Sequence, residues 1–149
     1  DATPRQPSWR PPARLVGAAL LLLMVAIVGL AAWMDADSRG FGTHQQLGLP
    51  ACGTLQRTGY PCPTCGMTRG FRAMAHGQVR ASFGYHPFAP VLFAATAAVA
   101  AAGTVQAVTG KALLSRTRVW WWILLANGVL AGWAIKVAIG RADGTYPLG

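Results

Sequence analysis

The residues of this 149-residue chain that are best suited to chemistry are its three cysteines, Cys52, Cys62 and Cys65. Two of them form a C-x-x-C pair with Pro63 and Thr64 between them. Pairs at this spacing occur in structural disulfides, in metal sites and in redox motifs. In a redox role, Cys62 would attack, Cys65 would resolve and Cys52 would act as a shuttle. The pattern leaves a structural, a metal-binding and a redox role open.

A metal site built on the three thiols would need a fourth ligand, which a histidine can supply. His76 is our candidate, and His44 and His86 are alternatives. Zinc and copper are the metals that such a ligand set would hold. A lone histidine in a loop is also a common polar surface residue, so this interpretation competes with a purely structural one.

The motif opens a predicted helix from about Thr64 to His76. Thr64 or Cys62 would cap its free amides, and Pro63 presets the chain for entry. A thiol at a helix N-terminus has its thiolate favoured, so its pKa should fall. Arg69, about one turn further on, would add to this positive field.

The predicted helix is amphipathic. Met67, Phe71 and Met74 form an apolar stripe, which suits the membrane interface or the surface of a neighbouring span. Cationic side chains occupy another face and continue beyond the helix: Arg69, Arg72, His76 and Arg80. The three arginines are candidates for binding an anion or a lipid headgroup, and a solvated cationic face is the alternative.

Three apolar runs lie on either side of this motif and would position it. Each is long enough to cross a bilayer as a helix. They are residues 16–34, 87–108 and 119–139. The predicted fold class is therefore all-α, an integral membrane protein with three transmembrane helices and a short amphipathic interfacial helix carrying the cysteine motif. The remaining segments are a basic N-terminal tail, the cysteine loop, a basic loop and a C-terminal tail: 1–15, 35–86, 109–118 and 140–149.

The first two spans raise separate questions. The first could be a cleaved signal peptide, but its apolar region exceeds the usual length of about 7–15 residues, which favours an uncleaved anchor. The second is rich in alanine and poor in large side chains. We therefore expect it to pack against protein on at least one side.

The third span carries several features besides its length. Trp120–Trp122 would form an interfacial aromatic belt. Gly128 and Gly132 would allow another helix to approach closely. We expect Asn127 to hydrogen-bond to another helix and Lys136 to extend towards the headgroups.

The charge balance predicts both a partner and an orientation. Thirteen Lys and Arg face four acidic residues, giving a net charge of +9. These cations lie beside apolar spans, which favours anionic lipid over nucleic acid as the counter-charge. Cations in short flanks mark the cytoplasmic side, and two flanks carry them: Arg5, Arg10 and Arg14, then Lys111, Arg116 and Arg118. The N-terminus is then cytoplasmic and the cysteine loop lies outside.

The run from Cys62 to Arg69 resembles the C-P-x-C-G-x-T-R signature of a family of small bacterial membrane proteins, the domain-of-unknown-function family 2752. His86 departs from the pattern, since members commonly have Asn there. The similarity spans about Cys52 to Pro90 and includes Thr58-Gly59, Gly77 and Ala81. The resemblance implies a bacterial cytoplasmic (inner) membrane protein and supports the importance of the motif, without implying a reaction.

The sequence thus predicts a small membrane subunit or accessory protein with a structural or metal-binding cysteine knuckle. Another membrane protein or a second copy of the chain would be its partner. A membrane thiol–disulfide oxidoreductase is the alternative. The chain has no Glu and no Asp inside a span, which disfavours carboxylate catalysis and an ion path.

Overall fold

The described residues, 12–35, 43–113 and 119–147 of a computed structural model, form six α-helices and one 3-10 helix and contain no strand. Three of the helices are long and apolar enough to cross a membrane: α1 Ala13–Trp33, α5 Ala89–Thr109 and α6 Val119–Ala142. The all-α class with three candidate transmembrane helices is confirmed. Most of the N-terminal tail with Arg5 and Arg10, residues 36–42, the second half of the basic loop with Arg116 and Arg118, and the side chain of His44 lie outside the described part.

The segment between the first two long helices contains more structure than the single predicted helix. It comprises the 3-10 helix Thr43–Leu47, α2 Gly53–Thr58, α3 Met67–Ala75 and α4 Val79–Tyr85. The helix predicted from Thr64 begins three residues later, because residues 63–66 form a turn in which Gly66 takes a left-handed φ of +91°. The predicted caps are wrong as well: Gly66 occupies the N-cap of α3, which has no side-chain cap hydrogen bond.

Helices α1 and α5 form the most extensive helix–helix contact. Gly17 and Gly103 lie at this contact, where a Cβ added to Gly17 would come within 2.7 Å of the Gly103 carbonyl oxygen. Gln106 adds a hydrogen bond between the two helices, since its Nε2 donates to the Ala13 carbonyl oxygen at 3.0 Å. The expectation that the alanine-rich second span packs against protein is confirmed.

Helix α3 packs under the motif against both neighbouring spans. Phe71, only 6% exposed, contacts Phe93 of α5 edge-on at 5.5 Å between ring centroids. Ser82 of α4 donates its hydroxyl to the Gly70 carbonyl oxygen at 2.9 Å. The apolar stripe of α3 therefore faces the protein at Phe71.

Helix α6 corrects three expectations. Gly128 faces the ring of Phe88, and Gly132 lies against His86 and both the Cβ and the backbone nitrogen of Phe88, so the close approach is made by the residues that lead into α5 and not along a helix. Asn127 donates to the Ile123 carbonyl oxygen of its own helix at 2.8 Å. Lys136 does not extend towards headgroups but turns inward, because two backbone carbonyl oxygens offer it hydrogen bonds near the cysteine motif.

Candidate functional site

The three cysteines come together in space. Their Sγ atoms all lie within 4.8 Å of one another, and all three are free thiols. Cys65 is buried, at 7% exposure, whereas Cys52 and Cys62 are half-buried. The cluster therefore has one anchored thiol and two that remain within reach of solutes.

Local backbone geometry explains this convergence. Cys52 is the N-cap residue of α2, and Gly59 ends that helix in a left-handed conformation that only glycine adopts readily. The chain then turns back, and the Cys65 amide donates to the Cys62 carbonyl oxygen at 3.0 Å. The C-x-x-C turn and the start of α2 thus face each other across the α2–α3 connection.

Helix α6 holds the cysteine loop through its backbone. Lys136 Nζ donates to the carbonyl oxygens of Cys65 and Tyr85, at 3.0 and 2.8 Å. Trp133 Nε1 donates to the Pro61 carbonyl oxygen at 2.7 Å. Sequence reasoning missed this role of both residues, although an ionisable side chain inside an apolar span is itself a signal of function.

His86 forms a third support. The Phe88 amide donates to its Nδ1 at 3.2 Å, so the proton lies on Nε2, which donates to the Pro63 carbonyl oxygen at 3.0 Å. The side chain is fully buried. Burial lowers the pKa of His86, which keeps the imidazole neutral.

The predicted histidine ligand lies elsewhere. His76 is not in the group of thiols, and its Nε2 is 3.3 Å from the Ala32 carbonyl oxygen. Arg72 behaves alike: its Nε donates to the Met34 carbonyl oxygen at 2.6 Å. Both side chains meet carbonyl groups at the C-terminal end of α1, where such groups have no partner within the helix. They join α3 to α1.

The other two arginine candidates, Arg69 and Arg80, have different surroundings. Arg69 stacks its guanidinium over the Tyr85 ring, 4.3 Å from the centroid, and its Nε is buried without a hydrogen-bond partner in the described part of the chain. Arg80 is exposed on α4. The three arginine candidates therefore share no common partner in the described contacts, and Arg69 is the one that lies near Lys136.

The three thiols differ in acidity. Burial and the neighbouring Cys62 raise the pKa of Cys65 to about 12. For Cys52, burial is outweighed by polar interactions with the Leu55 amide and the other thiols, which lower its pKa to about 7. The sequence predicts a lowered pKa for a thiol of the C-x-x-C motif, but the pKa of Cys65 is raised. The lowered pKa belongs to Cys52, at the N-cap of α2.

Comparison with known proteins adds one finding. Residues 52–100 match the model of a family described as "Protein of unknown function (DUF2752)", which confirms the resemblance seen in the sequence. The match contains all three cysteines, α2 to α4 and the first half of α5. Searches of curated proteins and of solved structures found no match.

Proposed function

We propose that this chain, whose residues 52–100 match the DUF2752 family model, is a membrane-anchored metal-binding protein in which three thiolates hold one thiophilic ion, zinc or copper. The convergence of the three sulfur atoms carries the proposal. A metal–sulfur bond is about 2.3 Å long, so three sulfurs around one ion lie about 4 Å apart. The three sulfurs lie within 4.8 Å of one another, so a small inward movement would complete the site.

The loop suits a bound metal in two further respects. Cys65 is fixed by Lys136 through its carbonyl group, so one ligand is already positioned. Cys52 and Cys62 remain partly exposed and give the ion a path in. A metal bound here would link α2 to the turn before α3, which is the structural role of a knuckle.

Three inferences about the setting belong to the same proposal. The family resemblance supports a bacterial cytoplasmic membrane, and the flanking cations support a cysteine loop that faces outward. The exposed tryptophans at the start of α6, Trp120–Trp122, support contact with lipid or with a partner. That partner would be another membrane protein or a second copy of the chain.

Metal content tests the proposal directly. The full chain, purified in detergent without chelator, should bind one equivalent of zinc or copper(I) by native mass spectrometry. Cys52→Ser, Cys62→Ser and Cys65→Ser should each abolish stoichiometric binding. Thr54→Ser, an exposed change in α2, should leave it intact. Wild-type protein that takes up neither metal would contradict the proposal.

Thiol–disulfide exchange is the second candidate, because each of the three thiol pairs is within reach of forming a bond. A thiolate of the cluster would attack a partner's disulfide and form a mixed disulfide. A second cluster thiolate would displace the partner, which leaves as a dithiol while the cluster keeps the new disulfide. A reduction potential well below about −300 mV would mark that bond as a resistant structural one and remove this candidate.

A further inference from the structure

Lys136 lies beside the thiol cluster, and Arg69 lies close to Lys136. The Lys136 ammonium interacts electrostatically with Cys65 and Cys62, and also with the Arg69 guanidinium. Arg69 in turn packs on Tyr85, whose carbonyl oxygen accepts a hydrogen bond from Lys136. Both side chains are partly withdrawn from solvent, so water and salt screen their charges less than they would at the surface.

These cations have no carboxylate counter-ion close by among the side chains that the structure describes. The described carboxylates belong to Asp35 and Asp143, and both are exposed. Asp35 approaches Arg72 instead, at 4.0 Å. A charge removed from water needs a partner of opposite sign. The partner available to Lys136 and Arg69 is therefore the thiol cluster in the thiolate form that a bound metal would impose.

The amount of charge distinguishes between metals. Three thiolates and one copper(I) ion carry two negative charges, which Lys136 and Arg69 neutralise. Three thiolates and one zinc ion carry a single negative charge, which leaves one of the cations unbalanced. The local charges thus match a monovalent metal better than a divalent one.

The number of ligands leads to the same metal. Among the described side chains the group contains three sulfur atoms and no imidazole or carboxylate. Both nitrogens of His86 are engaged with backbone groups. Structural zinc sites are almost always four-coordinate, whereas three thiolates saturate a copper(I) ion in a trigonal plane. Soft thiolates also suit copper(I).

We infer that the thiol cluster is a trigonal copper(I) site, with Lys136 and Arg69 as positioning residues that balance the charge of the trithiolate complex. The inference rests on the proposed metal-binding function and specifies its metal. Lys136 acts on the complex through charge and through the backbone of Cys65, without touching the metal.

The test compares copper(I) and zinc on the full chain in detergent, under reducing and oxygen-free conditions. Competition with a chromophoric chelator for each metal gives the affinities, and copper X-ray absorption gives the ligands. We expect one copper(I) with three sulfur neighbours and no nitrogen. Lys136→Gln keeps an N–H donor but loses the charge, and should weaken copper(I) binding about 10–100-fold, the usual effect of outer-shell changes. Because the zinc complex carries half the charge, its affinity should fall only about 3–10-fold.

Controls separate charge from folding. Lys111→Gln removes an exposed cation from the loop after α5 and should change neither affinity. Lys136→Arg keeps the positive charge, so it should retain the copper(I) binding that Lys136→Gln loses. If Lys136→Gln does not fold by circular dichroism, Arg69→Gln carries the same test.

Each adverse result has a distinct meaning. A wild-type chain that binds neither metal overturns the proposed function itself. A nitrogen ligand in the copper site, or tighter binding of zinc than of copper(I), leaves a metal site and overturns the copper assignment. Unchanged copper(I) affinity in folded Lys136→Gln and Arg69→Gln proteins overturns the charge-balancing role.

Discussion

At the scale of single residues, the site depends on side chains that hold backbone carbonyl groups in place. Lys136, Trp133 and His86 each donate to a carbonyl oxygen of the cysteine loop. The net contribution of a hydrogen bond to stability is about 1 kcal/mol, and leaving a buried donor or acceptor without its partner costs more. These three residues thus fix the backbone of the C-x-x-C turn while leaving its sulfur atoms available.

His86 makes stability depend on pH. Burial lowers its pKa in the folded state, so the unfolded chain takes up a proton first as the solution is acidified. Its contribution is complete above the unfolded value of about 6.5 and is lost as the pH falls towards the folded pKa. We expect the thermal midpoint in detergent to drop below about pH 6.5.

A substitution isolates this effect. In His86→Asn, the amide oxygen can still accept from the Phe88 amide, as Asn does in an Asx turn, but the side chain does not titrate. The variant should therefore lose most of the pH dependence in that window. If its thermal midpoint falls with acid as steeply as that of the wild type, another group is responsible.

At the scale of elements, Gly66 decides where α3 begins and how the motif reaches α6. Its φ is +91°, and an added Cβ would collide with the Tyr85 carbonyl oxygen and lie 2.8 Å from Lys136 Nζ. Gly66→Ala should destabilise the protein by about 1–3 kcal/mol, the usual range for strain of this kind. Thermal unfolding in detergent measures it.

Gly77 provides the matched control, since it has a φ of +74° but open space around it. Gly77→Ala carries the conformational cost without the collision and should destabilise less. Equal losses in the two variants would mean that the contact with Tyr85 and Lys136 contributes nothing.

The contact between α1 and α5 gives a second prediction at this scale. A methyl group on Gly17 would lie 2.6 Å from the Ala107 amide nitrogen, so Gly17→Ala should force the helices apart and lower the thermal midpoint. Gly29 lies in the same helix with nothing within 4 Å. Gly29→Ala should therefore be neutral or stabilising, by up to about 1 kcal/mol. Two variants of equal stability would argue against close packing at Gly17.

At the scale of the whole molecule, three apolar helices carry a thiol loop whose side of the membrane sets its redox environment. Disulfides persist in oxidising compartments, whereas thiols stay reduced in the cytosol. The cations flanking the spans predict a loop that faces outward. A metal bound there would also protect the three thiols from oxidation.

Labelling of intact cells tests the orientation. In a Cys62→Ser, Cys65→Ser background, an impermeant maleimide should modify Cys52 from outside. Lys111→Cys in a cysteine-free chain should react only after lysis, because the loop after α5 is predicted to be cytoplasmic. The reverse pattern would invert the orientation.

The sequence by itself determined the architecture and the location of the chemistry. Three long apolar runs leave helices as the only way to satisfy their backbone groups in a bilayer. The C-P-T-C-G-M-T-R run located the thiol motif and carried the resemblance to a family whose model matches residues 52–100. Such features depend on composition and local order, which a sequence states directly.

Only the tertiary structure decided how the site is assembled. Cys52 meets the C-x-x-C pair because Gly59 turns the chain back, and Lys136 reaches the Cys65 carbonyl group from a helix about seventy residues further on. His76 and Arg72 went instead to the end of α1, where unpaired carbonyl groups accept them. These outcomes depend on distances between elements far apart in the chain, and spacing within one segment carries no information about them.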